Sequence, residues 1–222
     1  MMLATAIGVA AGAGGLTLVA RQDRIDDRIH DYILENPEII PEAMKRLQSR
    51  DTAQLLSKHR AAIETPFAGA WAGSSHPAVT VTMFTDYSCG YCRASVADVD
   101  RLLGEEKAIR VVWREIPILG PGSEAAAHAA LAAAEQGHYL DFHRRMFAAG
   151  PPDGPRIIEA MKQSNVRLAE TPAIVRELDG NLVLARALGV TGTPTFVIGD
   201  QILQGAVGYD KLKQAIADAR KG

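Results

Sequence analysis

Residues 84–93 read FTDYSCGYCR and contain the only two cysteines of the 222-residue chain. Just before them, residues 79–83 alternate apolar side chains with threonines, which predicts a β-strand. After them, residues 90–103 carry apolar side chains at helical spacing, and residues 109–116 (IRVVWREI) predict a second strand. The cysteine pair therefore lies at the strand-to-helix turn of a β-α-β unit.

The spacing of Cys89 and Cys92 indicates redox chemistry. Two cysteines separated by two residues at a helix start can form and break a disulfide without moving the backbone. The free N–H groups and the dipole of the first turn stabilise a thiolate on the first sulfur. We therefore expect Cys89 to be the nucleophile and Cys92 the resolving thiol. A disulfide that closes so small a loop adds little stability.

A structural zinc site is the competing interpretation of the pair. Such a site needs four nitrogen or sulfur ligands, and the chain has no second cysteine pair. The six histidines show no metal-ligand spacing, so we interpret them as ordinary surface or core residues. The sequence predicts no resident metal.

A second motif, Gly192-Thr193-Pro194-Thr195-Phe196, precedes a predicted hairpin around residues 199–200 and a closing helix at 209–220. A proline that opens a strand beside a redox turn is a candidate cis-proline, because it removes a backbone donor and places Thr193 next to the active site. Between the two motifs the pattern predicts helices at 124–136, with Ser123 as cap, and at 138–148, 155–163 and 172–188.

Composition excludes several classes of protein. Hydrophobic residues make up 47% and charged residues 23%, which is typical of a globular chain and excludes a disordered one. The 24 Lys and Arg against 26 Asp and Glu leave a net charge of −2. That balance gives no general attraction to nucleic acid, so we expect no nucleic-acid partner.

The N-terminal region divides into three segments. Residues 1–21 resemble a signal or leader, because the first 20 carry no charge; an uncleaved membrane anchor is the alternative. Residues 22–60 predict two short amphipathic helices that cannot bury their apolar faces alone, so they must pack on the main domain or on another chain. We expect another chain, because a predicted linker follows them. Residues 61–75, rich in Gly, Pro and Ser, predict a linker to a catalytic domain at 76–222.

The order of strand, CxxC, helix, strand, Thr-Pro, hairpin and helix resembles the thioredoxin fold. Cys89 and Pro194 are 105 residues apart, which resembles the DsbA family, whose α/β thioredoxin fold carries an inserted helical subdomain, here at about 117–190. Residues 84–93 and the segment DYILENPEII at 31–40 resemble the branch of that family that includes the suppressor-of-copper-sensitivity protein ScsC.

The resemblance implies a thiol-disulfide oxidoreductase whose only redox group is the Cys89–Cys92 disulfide. It assigns attack to Cys89 and resolution to Cys92, with four further residues in contact with protein substrate: Gly90, Tyr91, Thr193 and Pro194.

One departure from the family's pattern concerns the strand before the cysteines. Family members often carry a buried Glu six residues before the first cysteine, where this chain has Met83. Glu115, on the next strand, is a candidate for proton transfer; the simpler interpretation is a surface acid at a strand end.

Redox-active dithiols of this kind act where disulfides persist, so we expect a periplasmic protein. The helices at 22–60 favour an oligomer, with a trimer implied by the resemblance, and an oligomer favours an isomerase or reductase over a monomeric oxidase. Cysteine-containing proteins are the expected substrates, and a redox partner in the membrane would reset the active site.

Two alternatives to this function are a DsbA-like dithiol oxidase and a Cu(I)-binding protein that uses the two thiolates. The family resemblance also implies a role in copper tolerance.

Overall fold

The computed structural model describes residues 25–221, which form eight helices and five strands in the order α1, α2, β1, β2, α3, β3, α4–α7, β4, β5, α8. The helices are α1 (residues 25–35), α2 (Ile39–Glu64), α3 (Gly90–Glu105), α4 (Pro121–Glu135), α5 (Tyr139–Ala149), α6 (Gly154–Gln163), α7 (Pro172–Ala187) and α8 (Tyr209–Ala219). The strands are β1 (Trp71–Gly73), β2 (Val79–Thr85), β3 (Ile109–Glu115), β4 (Thr195–Ile198) and β5 (Gln201–Gln204).

The strands form one sheet in the order β1-β3-β2-β4-β5. β2 and β3 are parallel and run in register from Val79 opposite Ile109 to Thr85 opposite Glu115, whereas the other pairs are antiparallel. Since α3 connects the two parallel strands, their carboxyl ends lie at the same edge of the sheet. That edge is where the cysteine-containing turn begins, as the sequence predicts.

The two faces of the sheet are both covered, which explains why every residue of β2 is buried. On one face, Met83 and Trp113 pack into a core that also contains side chains of α3, α4, α5 and α8. On the other face, Phe84 packs with residues of α2 and α7, among them Leu56 and Leu184. The predicted α/β thioredoxin architecture is confirmed.

Helices α4–α7 lie between β3 and β4 and form the predicted helical insertion. The first of them begins at Pro121, earlier than the sequence indicated, because proline is well suited to the first position of a helix. Gly120, with a φ of 123°, is its N-cap. Ser123 is therefore not the predicted cap; its hydroxyl donates instead to Ser88 Oγ, at 2.7 Å.

Residues 61–75, which the sequence predicts as a linker, carry regular structure instead. Helix α2 continues to Glu64. Strand β1 pairs with β3, with Trp71 opposite Val112 and Gly73 opposite Arg110. The strand is too short for its apolar pattern to be recognised, and the pairing partner is distant in sequence. This segment is the edge of the sheet rather than a flexible connection.

The described chain forms two compact units that divide after Arg50. The later part of α2 belongs to the second unit, where Leu56 and Ile63 are buried against the sheet. The expectation that residues 22–60 as a whole pack on another chain is therefore wrong for the residues after Arg50. In the first unit, by contrast, the apolar side chains of Ile25, Ile29, Tyr32, Leu34, Ile40, Met44 and Leu47 are exposed.

The leader-like residues 1–21 lie outside the described residues. Among residues 25–221, no helix is long and apolar enough to span a membrane.

Arg114 of β3 fixes the end of α2. The residue is 5% exposed, and its guanidinium donates to the carbonyls of Ala62 and Thr65 at the C-terminus of the helix, where carbonyls lack partners within the helix. The same group donates to Glu177 Oε1 at 2.7 Å and to Asn181 Oδ1 at 3.2 Å on α7. One side chain therefore joins α2, the sheet and the insertion.

We predict that Arg114→Ala lowers the free energy of unfolding of the reduced protein by about 3 kcal/mol, because it leaves a partly buried carboxylate and several carbonyls without a donor. Urea unfolding followed by circular dichroism measures this change. The control is Arg46→Ala, which removes a largely exposed ion pair with Glu42 and should cost less than about 1 kcal/mol. Equal losses in the two variants would contradict the role assigned to Arg114.

Candidate active site

The CxxC turn begins α3 at the carboxyl end of β2, and Cys89 is the N-cap of the helix. The backbone N–H of Cys92 donates to Cys89 Sγ at 3.3 Å. A donor aimed at the sulfur, together with the helix N-terminus, favours the thiolate form of Cys89. Both cysteines are free thiols in this structure.

The Thr193–Pro194 peptide bond is cis, as the sequence predicts. The Cys89 thiol donates to the Thr193 carbonyl at 3.2 Å, across 104 residues of chain. Thr195 Oγ1 donates to the Gly192 carbonyl at 2.8 Å and orders the loop that carries this peptide. The structure thus brings together two motifs that the sequence keeps far apart.

The two sulfurs differ in their accessibility. Cys89 retains 6% exposure and Cys92 none, whereas Tyr91 between them is 71% exposed. Burial raises the pKa of Cys92 to about 12. A substrate can therefore reach Cys89, while Cys92 stays protonated until a nearby group removes its proton.

Asp86 connects the active-site turn to the helical insertion. Its buried carboxylate accepts hydrogen bonds from the backbone N–H groups of Ser88 (2.8 Å), Ile118 (2.9 Å) and Leu119 (3.0 Å). The side chains of Ile118 and Leu119 are about half exposed. Asp86 lies three residues before Cys89 and thereby holds this apolar surface close to the cysteine turn.

Glu115 is buried, so its interpretation as a surface acid is wrong. It ends β3 on the face of the sheet that carries Trp113, and Oε1 accepts a hydrogen bond of 2.6 Å from the Tyr139 hydroxyl. Burial raises the pKa of Glu115 to about 8, and the hydrogen bond from Tyr139 opposes the shift. The nearby Asp86 carboxylate contributes to the same rise.

His143 completes a buried cluster with the two tyrosines. Its Nδ1 lies 3.1 Å from the Tyr87 hydroxyl and 3.3 Å from the Tyr139 hydroxyl, and its ring stacks on that of Tyr139. Burial lowers the pKa of His143 to about 3, so the imidazole is neutral at physiological pH. His143 is therefore a core histidine, one of the two ordinary roles that the sequence analysis allows for the histidines.

Within residues 25–221, no group of three or more His, Cys, Asp or Glu side chains is placed to hold a metal ion. The two thiols of the CxxC turn are then the soft ligands that the described site offers.

Sequence reasoning missed Thr85, Asp86, Tyr87, Tyr139 and His143. The first three belong to the quoted stretch but show no spacing that signals a role. The last two lie on α5, and only folding brings them beside Glu115.

We predict that Glu115→Gln changes the pH dependence of stability. The native carboxyl keeps its proton up to a pKa of about 8, whereas the unfolded carboxyl loses it near 4.5. The native state is therefore favoured below pH 4.5, and this contribution disappears as the pH rises through 8. Each pKa unit corresponds to about 1.4 kcal/mol. As the pH rises from 4.5 to 8, the free energy of unfolding of the wild type should therefore fall by a few kcal/mol that the variant keeps.

Urea unfolding of the reduced wild type and Glu115→Gln proteins between pH 5 and 8 tests this. The effect of His143, which destabilises the fold as the pH falls below 6.5, is common to both proteins and cancels in the difference. Parallel stability curves for the two proteins would show that Glu115 ionises normally.

Several solved structures are similar to this chain. The catalytic domain of ScsC from Proteus mirabilis is 30% identical, with a TM-score of 0.71 over 77% of this chain and 99% of that domain. A thioredoxin-like oxidoreductase from Silicibacter pomeroyi is 35% identical, with a TM-score of 0.70 over 73% and 98%. A periplasmic thioredoxin-like protein from Salmonella enterica serovar Typhimurium is 26% identical, with a TM-score of 0.69 over 73% and 96%.

The curated relatives are longer proteins. The Na(+)/H(+) antiporter NhaA 3 of Salinispora tropica is 31% identical over 160 residues, which are 66% of this chain. The chain spans about a quarter of the length of the curated relatives it matches.

Two family models match successive parts of the chain. The N-terminal domain of copper resistance protein ScsC matches residues 22–54, and the DSBA-like thioredoxin domain matches residues 80–217. The second match covers more than half of the chain and includes both cysteines and the cis-proline. The chain therefore belongs to the DsbA-like thioredoxin family of thiol-disulfide oxidoreductases, and it carries an ScsC-type N-terminal segment.

Proposed function

We propose that this protein is a periplasmic disulfide isomerase or reductase that acts on cysteine-containing proteins. The observation that carries the proposal is the arrangement of Cys89, which is the accessible sulfur, the N-cap of α3 and the neighbour of the Thr193 carbonyl. A thiolate at this position can attack a disulfide whose backbone lies along the cis-proline loop.

The reaction begins when the Cys89 thiolate attacks one sulfur of a substrate disulfide. A mixed disulfide forms, and the other substrate sulfur leaves as a thiolate. In isomerisation, a substrate thiolate then attacks another substrate sulfur and Cys89 is finally released. In reduction, Cys92 attacks Cys89, so that the protein disulfide forms and the substrate leaves with two thiols.

Exposed apolar side chains near the turn favour unfolded or misfolded clients. Tyr91 follows the nucleophile by two residues, and Ile118 and Leu119 are held at the turn by Asp86. With Gly90 and the Thr193–Pro194 loop, these residues are the proposed contacts of a substrate segment. Misfolded proteins expose apolar segments of this kind, and a folded protein rarely does.

The exposed apolar side chains of residues 25–50 support self-association. Seven large apolar side chains of this region are exposed, and Ile25, Ile29 and Tyr32 line one cavity of about 280 Å³ together with Arg28. We propose a homo-oligomer, with a trimer as the expected state. Several active sites around one client would let a substrate released from one Cys89 meet another.

The remaining proposals concern the cell. Exchange with a redox partner in the membrane would keep the pair reduced, and disulfides persist in the periplasm. A contribution to copper tolerance would come through repair of oxidised thiols, in line with the match of residues 22–54 to a copper resistance domain. Cu(I) bound by Cys89 and Cys92 would occupy the sulfurs that exchange requires.

Refolding of ribonuclease with scrambled disulfides tests isomerase activity. We predict that the reduced protein restores ribonuclease activity and that Ile29→Asp/Met44→Asp loses most of this effect, because charges on the exposed apolar side chains prevent assembly. Light scattering should show an oligomer for the wild type and a monomer for the variant. Point substitutions are preferable to deletion of residues 22–60, which removes the buried Leu56.

The matched control is His30→Asp/Gln48→Asp, which adds the same charge at exposed polar positions of the same segment. This variant should keep both the assembly and the isomerase activity. If neither the wild type nor the control restores ribonuclease, the isomerase proposal fails. Rapid oxidation of a reduced peptide by the disulfide form would then favour a dithiol oxidase.

A further inference from the structure

We propose that the cavity between α4 and α6 binds an apolar side chain of a client polypeptide, and that the carboxylates at its rim select clients with a basic residue beside that side chain. The inference rests on the proposed function, because it describes which protein segments the exchange site would receive. It assigns a binding role to the helical insertion, which contributes neither the cysteines nor the cis-proline.

The cavity has a volume of about 430 Å³ and is lined by both helices and by residues 168–170. Ile157 and Met161 of α6 are buried at it. Ile158 is 67% exposed and Leu168 is 69% exposed, although both side chains are large and apolar. Cavities that bind ligands commonly have volumes of about 300–1,000 Å³, and clusters of exposed apolar side chains mark interaction sites.

Two carboxylates line the same cavity. Glu124 lies in the first turn of α4, and Glu170 lies just before α7. Both are exposed, and neither forms an ion pair or a side-chain hydrogen bond among residues 25–221. By contrast, Asp141 and Asp153 of the insertion are paired with arginines. Unpaired carboxylates beside an apolar cavity favour a ligand that carries a positive charge.

The start of α4 connects the cavity to the active-site turn. Ser123 donates to Ser88 Oγ at 2.7 Å, one residue before the nucleophile. Pro121 lines the cavity and follows the exposed Leu119 by two residues. His128, further along the α4 lining, is five residues beyond Ser123, which is about 8 Å of helix. The apolar surface at the turn therefore continues into the cavity.

The shape of the cavity depends on a close contact between α4 and the loop before α6. A Cβ atom at Gly122 would lie 2.6 Å from the Pro152 carbonyl oxygen, so only glycine allows this approach. Asp153 caps α6 by accepting a hydrogen bond of 2.9 Å from the Arg156 N–H. Backbone contacts thus fix the two helix starts, and a site formed in advance costs less to bind.

A client segment suits the position of the cavity better than a second copy of this chain. The exposed apolar side chains assigned to self-association lie within residues 25–50, which form the other compact unit. The proposed reaction brings unfolded segments to Cys89, beside the start of α4. A segment of twelve residues spans up to about 40 Å when extended, so one client can contact the turn and the cavity together.

Binding of three labelled, cysteine-free peptides of about twelve residues to the reduced full-length protein tests the proposal. One peptide alternates Leu with Lys, the second Leu with Glu, and the third Ser with Lys. Fluorescence anisotropy measures the dissociation constants. We expect the Leu/Lys peptide to bind about tenfold more tightly than either of the others. Its advantage over the Leu/Glu peptide should shrink at high salt, because the carboxylates are exposed.

Two variants locate the binding site. Ile158→Ser/Leu168→Ser removes the apolar rim and should weaken binding of the Leu/Lys peptide by about tenfold. Glu170→Lys reverses one charge and should abolish the preference for Lys over Glu in the peptide. Circular dichroism shows whether each variant is folded.

Matched controls lie on α7, whose residues do not line the cavity. Val175→Ser/Val183→Ser removes two exposed apolar side chains, and Asp179→Lys reverses an exposed carboxylate. Both controls should bind the three peptides with the affinities of the wild type.

Disulfide exchange shows whether the bound segment is a substrate. Each peptide is extended by one cysteine that is joined to glutathione as a mixed disulfide. Mass spectrometry follows the release of glutathione by the reduced protein. The Leu/Lys peptide should react fastest with the wild type and the α7 controls, and this preference should disappear in Ile158→Ser/Leu168→Ser.

Equal binding of the three peptides by the wild type, or wild-type affinity in a folded Ile158→Ser/Leu168→Ser, would overturn the inference. If that variant does not fold, Ala125→Trp decides the matter, because it fills the cavity from an exposed position on α4. A smaller oligomer of Ile158→Ser/Leu168→Ser in light scattering would show that a second copy occupies the cavity, and would also overturn it. Selective binding without any exchange would support the docking site and contradict the proposed function.

Discussion

The first turn of α3 has backbone N–H groups with no acceptor inside the helix, and Cys89 Sγ accepts one of them. This hydrogen bond fixes the nucleophile at the helix end, where the dipole favours negative charge. The β2–β3 pairing places that helix end at the edge of the sheet. The cis Thr193–Pro194 loop contacts it through the Thr193 carbonyl, which accepts a hydrogen bond from the Cys89 thiol. The remaining features of the site act on a sulfur held in this way.

The buried polar cluster beneath the turn shows how the two cysteines receive different environments. Cys89 is partly accessible and lies at the helix end, whereas burial keeps Cys92 protonated. The chain has an apolar residue, Met83, on β2, and its buried Glu115 ends the neighbouring strand, paired with Thr85.

Much of the fold was predictable because local pattern and short motifs determine it. The alternation in β2, the cysteine pair and the Thr193–Pro194 motif indicate the elements that meet at the site. The strand β1 was not predictable, since three residues carry no period and their partner is distant in the chain. The burial of Glu115 could not be seen either, because it depends on α5 covering the end of β3 with Tyr139. The formation of β1 and the burial of Glu115 both depend on contacts between residues that are far apart in the sequence.

The most direct test of the account is to trap the substrate on the nucleophilic cysteine. Incubation of Cys92→Ser and Cys89→Ser proteins with a disulfide-containing client, followed by non-reducing electrophoresis and mass spectrometry, shows which sulfur forms the mixed disulfide. The account predicts a stable adduct on Cys89 in the Cys92→Ser protein and little adduct in the Cys89→Ser protein. A dominant adduct on Cys92 would contradict the assignment of Cys89 as the nucleophile.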